Sequence, residues 1–287
     1  MIANVANVLF DGLAYGSLLF LIGVGLSLTM GLMNFINLAH GAFAMFGGYV
    51  GVWAMNRGAS PFPTLLAAVL ATGLLGAAAE RLLFRRLYKA SRLDQTLFTI
   101  GFVFSAIACA TYFFGAGQQS VVLPSFLQGQ IHPFGLDLGV YRLFLILVVA
   151  GIAIGLQAMV EKTRFGCQIR AAVDNQDASD ALGINVNAIF SLCFALGAAM
   201  AGLGGALGVG VLGLDPSFPL KYMVYFLLVV VVGGAGSIKG PLIAALILGI
   251  CDVAGKYWIP SLGAFIIYAA MIVLLMLFPN GLGAKRA

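Results

Sequence analysis

Residues 8–29 read VLFDGLAYGSLLFLIGVGLSLT, a run of 22 positions whose one charged side chain, Asp11, stands near its start. About 20 mostly apolar residues in helical form span the hydrocarbon core of a bilayer. Eight further apolar runs follow, near 41–55, 64–79, 97–114, 143–160, 189–212, 222–232, 242–250 and 265–278. Several are short or interrupted by glycine, as half-helices in membrane carriers are. The runs predict an all-α, polytopic transmembrane bundle of about eight to ten membrane segments, some short or broken. Composition agrees. Of 287 residues, 62% are hydrophobic and 9% charged, with a mean hydropathy of +1.06. Soluble domains carry roughly 25% charged residues. A water-soluble enzyme, a secreted domain and a disordered chain are excluded.

Charge placement orients the bundle. Of the 15 basic residues, Arg81, Arg85, Arg86, Lys89 and Arg92 form one group and Lys162, Arg164 and Arg170 another. Lys285 and Arg286 close the chain, and alternation of nine spans adds Lys239 to the same side. Arg57, Arg142, Lys221 and Lys256 fall on the other side. Basic residues accumulate in cytoplasmic loops, so the amino terminus is expected outside and the carboxy terminus inside. The net charge of +5 is thereby assigned to membrane orientation and not to nucleic acid. Residues 1–10 carry no basic residue ahead of the apolar run, unlike a cleaved signal peptide. Cys109, Cys167, Cys193 and Cys251 form no CxxC pair, which supports neither a metal site nor a disulfide framework. No metal and no cofactor are expected.

Polar residues inside apolar runs carry information because each is costly there. Residues 31–41, GLMNFINLAHG, gather Asn34, Asn37 and His40 beside Gly41. Continued as a helix, the three polar residues would share one face; they could line a solute path, hold a glycine-flanked broken helix, or bond neighbouring helices. Residues 232–241, VGGAGSIKGP, cannot continue a stable helix and are expected to form a hairpin or a break. They lack the G-x-x-x-x-G-K-[ST] order of a phosphate-binding loop. Gly197, Ala201 and Gly205 recur at the four-residue spacing that lets helices approach closely. Asp11 and Asp252 lie near span ends and are expected to face the membrane interface. Residues 115–142 form the longest outer connection, expected as a short strand pair or interfacial segment.

The longest inner connection is 161–187, beginning EKTRFGCQIRAAVDNQDASDALGIN. It is the most polar stretch, yet it favours helix. Ala171, Ala172, Ala178, Ala181 and Leu182 give it a small apolar face, and Asp174, Asp177 and Asp180 another. Asp177 or Ser179 is a candidate helix cap. A structured, alanine-bearing segment of this length in a minimal membrane protein points to a docking surface for a soluble partner. The chain then reads as one transmembrane domain over 1–287 with a cytoplasmic docking segment at 161–187.

These stretches carry a family resemblance. NFINLAHGAFAMFGGYV, LPSFLQGQ, TRFGCQIRAAVDNQDASDALGIN, VGGAGSIKGPLIAALILG and the tail LFPNGLGA resemble the permeases of branched-chain amino acid ATP-binding cassette transporters, and within them the LivH-type transmembrane subunit. Together they reach from about Asp11 to Gly283. The resemblance implies an importer subunit of the bacterial inner (plasma) membrane, working by alternating access on branched-chain amino acids or related small polar solutes. It implies a second related, LivM-like permease subunit, two cytoplasmic ATPase subunits, an external solute-binding protein and surrounding lipid as partners. It maps ATPase coupling onto Gly166, Arg170, Ala171, Asn175, Ala181, Gly183 and Ile184. The chain itself is then not an enzyme. Aliphatic amino acid, urea, amide and aromatic-acid systems share these motifs, so the motifs do not name the solute. Ala42 stands where many relatives carry an acidic residue, and Lys239 where a neutral or small one is usual.

Two other classes compete. A stand-alone channel or ion-coupled carrier would need an intramembrane titratable group, and His40 is its one mid-span candidate. An intramembrane enzyme would need a motif such as HExxH or paired aspartates, and neither occurs.

Overall fold

Each of the nine apolar runs becomes a helix. The computed structural model describes residues 2–33, 37–88, 90–132, 136–279 and 281–283. Asn34, Lys89, Lys285 and Arg286 lie outside the described residues. In chain order the helices are α1 (Ile2–Met33), α2 (His40–Met55), α3 (Pro61–Leu82), α4 (Arg92–Phe114), α5 (Val140–Lys162), α6 (Arg164–Asp174), α7 (Gln176–Ala181), α8 (Val186–Leu212), α9 (Phe218–Gly233), α10 (Lys239–Trp258) and α11 (Gly263–Leu277). Six of them, α1, α3, α4, α5, α8 and α10, are long and apolar enough to cross a membrane. The helices α9 and α11 are shorter and apolar. With 16 residues, α2 reaches only about 24 Å at 1.5 Å per residue, less than a full hydrocarbon core of ~30 Å.

Local chemistry sets the helix ends. Ser91 caps α4 by accepting from the Asp94 amide at 3.2 Å, and Gly115, at φ +82°, ends it. Pro61 and Pro63 sit in the first turn of α3, where a missing N–H costs nothing. The outer connection contains a two-residue antiparallel pair, β1 (Gln130–Ile131) with β2 (Leu138–Gly139), the strand pair expected there.

Apolar faces decide the layering. The first helix is apolar all round and sits at the centre, with Leu18, Leu19, Phe20, Leu21 and Ile22 sealed from solvent. A helix of that kind is stable only when surrounded, and α5, α8, α9 and α10 surround it. The peripheral helices α3, α4 and α5 leave most of their surface exposed, as lipid-facing helices do. The small residues of α8 serve two neighbours. Gly197 meets Gly25 of α1, while Gly202 and Gly205 meet Gly47 and Ala44 of α2.

Contacts between helix ends sort the basic residues. Glu161 at the end of α5 pairs with Lys239 at the start of α10. Glu80 near the end of α3 bonds Ser191 near the start of α8. One end of the bundle therefore collects Arg81, Arg85, Arg86, Arg92, Lys162, Arg164, Arg170 and Lys239. At the opposite end Arg142 of α5 pairs with Asp11 of α1, and the Gln119 amide donates to the Leu214 carbonyl at 2.6 Å. Arg57, Arg142, Lys221 and Lys256 belong there. This is the division that alternation predicts.

Candidate functional site

At the basic end, α6 and α7 form a short helical hairpin under the bundle. Thr163 makes the corner: its hydroxyl donates to the Met159 carbonyl at 2.6 Å and accepts from the Gly166 amide at 3.1 Å. A Cβ on Gly166 would lie 2.1 Å from the Val160 oxygen, and the Arg170 guanidinium donates to that same oxygen. Asn175 caps α7 by accepting from the Ala178 amide at 2.9 Å, and Gly183, at φ +81°, ends the hairpin. Asp177 and Ser179 do not cap: Asn175 already occupies the position before the first turn, and Ser179 is buried inside the helix. Gly166, Arg170, Asn175 and Gly183 thus build the shape of the hairpin.

The single alanine face expected for this segment divides in two. Ala172 is fully buried with Ile169 against Val186, Ile189, Phe190 and Cys193 of α8. Half-buried Ile184 packs on the same cluster. Ala171 is half-buried, and Ala181 is exposed. The outward apolar surface is Val173, 40% exposed, and Leu182, 81% exposed, beside exposed Asp174, Asp177 and Asp180. Val173 was not legible as a surface residue, because the sequence does not fix which side of α6 meets α8.

The hairpin rests on a buried polar node. Glu80 is fully buried and accepts from the Tyr88 hydroxyl at 2.7 Å and from the Ser191 hydroxyl. Burial first, then the bond to Glu80, push the Tyr88 phenol far above its ordinary value, so it stays a donor. The Tyr88 ring packs edge-on against Phe190. Tyr88 thus ties Glu80 of α3 to the α8 cluster on which the hairpin packs.

The two glycine-broken segments meet. The Gly236 amide donates to the Ser27 carbonyl at 2.9 Å, and the Ser27 hydroxyl donates to the Ser237 carbonyl at 3.0 Å. Gly234 and Gly236 take φ +89° and +79°, which only glycine adopts cheaply. A Cβ on Gly31 would lie 2.4 Å from Gly236 Cα. The tail joins them: Leu282 and Gly283 amides donate to the Val232 and Gly233 carbonyls, each at 2.9 Å.

Of the expected path residues, Asn34 lies outside the described residues. Asn37 is not helical. It sits in a turn and accepts from the Ala39 amide at 3.1 Å, a local bond that competes with helix. Asn37 and His40 therefore do not share the face that a continued helix would give them. His40 opens α2, is buried, and its Nε2 lies 2.7 Å from the Ile22 carbonyl. A carbonyl only accepts, so Nε2 carries the hydrogen. Asn37, His40 and Gly41 border a void of about 10 Å³ with Phe226, room for about one water and for no amino acid.

The opposite end holds a larger polar cavity of about 450 Å³, between α1, α5, α8, α9 and α10. Asp11, Arg142, Lys221, Asp252 and Lys256 line it with Tyr15, Tyr222 and Tyr225. Asp252 does not face an interface: it is 1% exposed. Its Oδ2 accepts from Lys256 Nζ at 2.5 Å, and its Oδ1 has no hydrogen-bond partner among the described residues. Sequence reading missed this cavity because its charges come from four distant segments. Beside it Asp215 bonds Lys221 and the Ser217 amide at 2.8 Å. Partial burial raises the Asp215 carboxyl, but Lys221 and Ser217 outweigh burial and hold it below its ordinary value. A carboxyl held low stabilises the fold above the ordinary carboxylate range and loses that contribution as pH falls through its lowered value. Thermal melts of wild type and Asp215→Asn are expected to differ at neutral pH and to converge in acid. A pH-independent gap would show that the pair is not coupled to folding.

A central helix wrapped by others, glycine breaks at one end, a polar cavity at the other and a hairpin under the bundle define a polytopic membrane permease. The chain belongs to the family described as the branched-chain amino acid transport system permease component, which it matches over residues 8–276. It is 28% identical to the high-affinity branched-chain amino acid transport system permease protein LivH of Escherichia coli K12, covering 96% of this chain and 94% of that protein. It is 26% identical to BraD, the corresponding permease protein of Pseudomonas aeruginosa, with the same coverage. It is also 26% identical to the probable permease protein LivH of Methanocaldococcus jannaschii, over 94% of this chain and 88% of that one. No solved structure matches.

Proposed function

We propose that the chain is one transmembrane subunit of an ATP-driven importer for branched-chain amino acids, seated in the plasma (inner) membrane with its basic end in the cytoplasm. The observation that carries this reading is the hairpin of α6 and α7. It presents exposed Leu182 and Val173 at the end where the basic residues gather, and Leu182 is 81% exposed. A cytoplasmic ATPase that buries this surface would push on the Glu80 node and so on α3 and α8. The other end would then open and close by alternating access. ATP hydrolysis belongs to the partner subunits, a second related permease completes the pore, and an external binding protein delivers solute to the cavity end. Asn34, Asn37, His40 and Gly41 line the path in this reading. The whole chain acts as one permease domain, with 161–187 as its docking segment.

The test is a tagged pull-down from native membranes in mild detergent, with mass spectrometry of what is retained. ATPase subunits and a second permease are expected. Recovery of this chain alone, under conditions that keep a known importer together, would overturn the reading in favour of a channel or ion-coupled carrier.

A further inference from the structure

We infer that the cavity at the sparsely basic end is a solute station for a zwitterion, with Asp252 as the residue that receives the solute's ammonium group. The inference rests on the permease reading and adds to it the residues that touch solute and the charge pattern they select.

The starting point is Asp252. It sits on α10 at 1% exposure, borders the cavity, and uses only one of its oxygens, on Lys256. An orphaned buried carboxylate oxygen is expensive, because it has left water and gained nothing. A ligand ammonium carries three donors and would satisfy it. Opposite charges complete the pattern. Arg142 is paired with Asp11 and Lys221 with Asp215. Each of these cations has donors beyond the one its carboxylate uses, so a solute carboxylate finds ready partners on the rim formed with Lys256. The two acids and three bases that line the cavity, with Asp215 beside it on Lys221, make three of each sign. Such a site favours a solute that is neutral in sum but carries both charges. A site of one sign would select an ion, and an uncharged one would suit urea or an amide. Val211, Leu212 and Val253 supply apolar wall for an aliphatic side chain. The volume of about 450 Å³ falls within the range of small-molecule sites.

The experiment uses the complex purified from native membranes in mild detergent, carrying Val211→Cys after replacement of the native cysteines by serine. Labelling of that thiol by a membrane-impermeant methanethiosulfonate is followed with leucine, or with 4-methylpentanoate, which lacks the ammonium group. Leucine is expected to slow labelling several-fold and 4-methylpentanoate not to. In Asp252→Asn, checked for retention of its co-purifying subunits, the leucine concentration for half-protection should rise about tenfold or more, and Asp252→Glu should recover part of it. Equal protection by the two compounds, no protection by either, or protection unchanged in Asp252→Asn would overturn the assignment. ATP-driven leucine uptake by the reconstituted wild-type complex is measured in parallel. Its absence would count against the importer reading, whereas uptake with no protection at the cavity would count against the station alone.

Discussion

Leu182→Glu is expected to reduce ATP-driven uptake to background while leaving the permease in the membrane at normal levels. At 81% exposure, Leu182 packs on little of its own chain, so the substitution has almost no fold to damage. At a docking surface the same residue would be an anchor. Truncating one such anchor costs about 2–4 kcal/mol of binding, and a buried charge adds a desolvation penalty. With 1.4 kcal/mol per tenfold, association of the ATPase should weaken at least about thirtyfold. Val173→Asp on the neighbouring helix should act the same way. The contrast is Ala172→Glu, which forces a charge between α6 and the α8 cluster and should lower the amount of folded protein as well. Co-purification of the ATPase and solute uptake are the two readouts. If Leu182→Glu retains both, this hairpin face is not where the ATPase docks.

Gly205→Val should be the most destructive substitution for the fold. A Cβ at this position would lie 1.8 Å from the Ala44 carbonyl oxygen of α2, and the obstacle is backbone, so no rotamer change relieves it. Overpacking a tight interior costs roughly 1–3 kcal/mol even where side chains can yield, and here two helices must separate. Separation would also loosen the neighbouring approach of Gly47 to Gly202. Loss of monodisperse protein in detergent, or a melting temperature lowered by many degrees, is expected. Gly101→Ala is the control, since a Cβ there meets nothing within 4 Å and alanine favours helix. Equal melting temperatures for the two variants would mean that α2 and α8 pack less closely than the structure has them.

Much of the fold was legible because the membrane simplifies the physics. Each backbone group in lipid must be satisfied within its own helix, so every long apolar run had to be helical, and all nine are. The strand pair in the outer connection and the close-packing stripe of α8 followed from turn residues and small-residue spacing in the same way. What failed was local and polar. Asn37 and His40 would share one face only on a continued helix, but the Asn37 side chain bonds the Ala39 amide and holds a turn. The cap of α7 was sought at Asp177 or Ser179, but Asn175, before the first turn, takes it.

The sequence by itself determined the helical, polytopic class, the end of the bundle where basic residues gather, the places where helices must break, and the family. Each of these follows from composition along the chain, which hydrocarbon and surface charge read one segment at a time. Tertiary structure alone decided which residues meet. It joined the 31–41 and 232–241 breaks and the carboxy-terminal tail into one junction through Ser27 and Gly236. It turned Ala172 inward and Leu182 outward on the same hairpin. It gathered Asp11, Arg142, Lys221 and Asp252 from four helices around one cavity. Helix packing fixes such contacts through the rotation of each helix about its axis, and that rotation is set by neighbours distant in sequence.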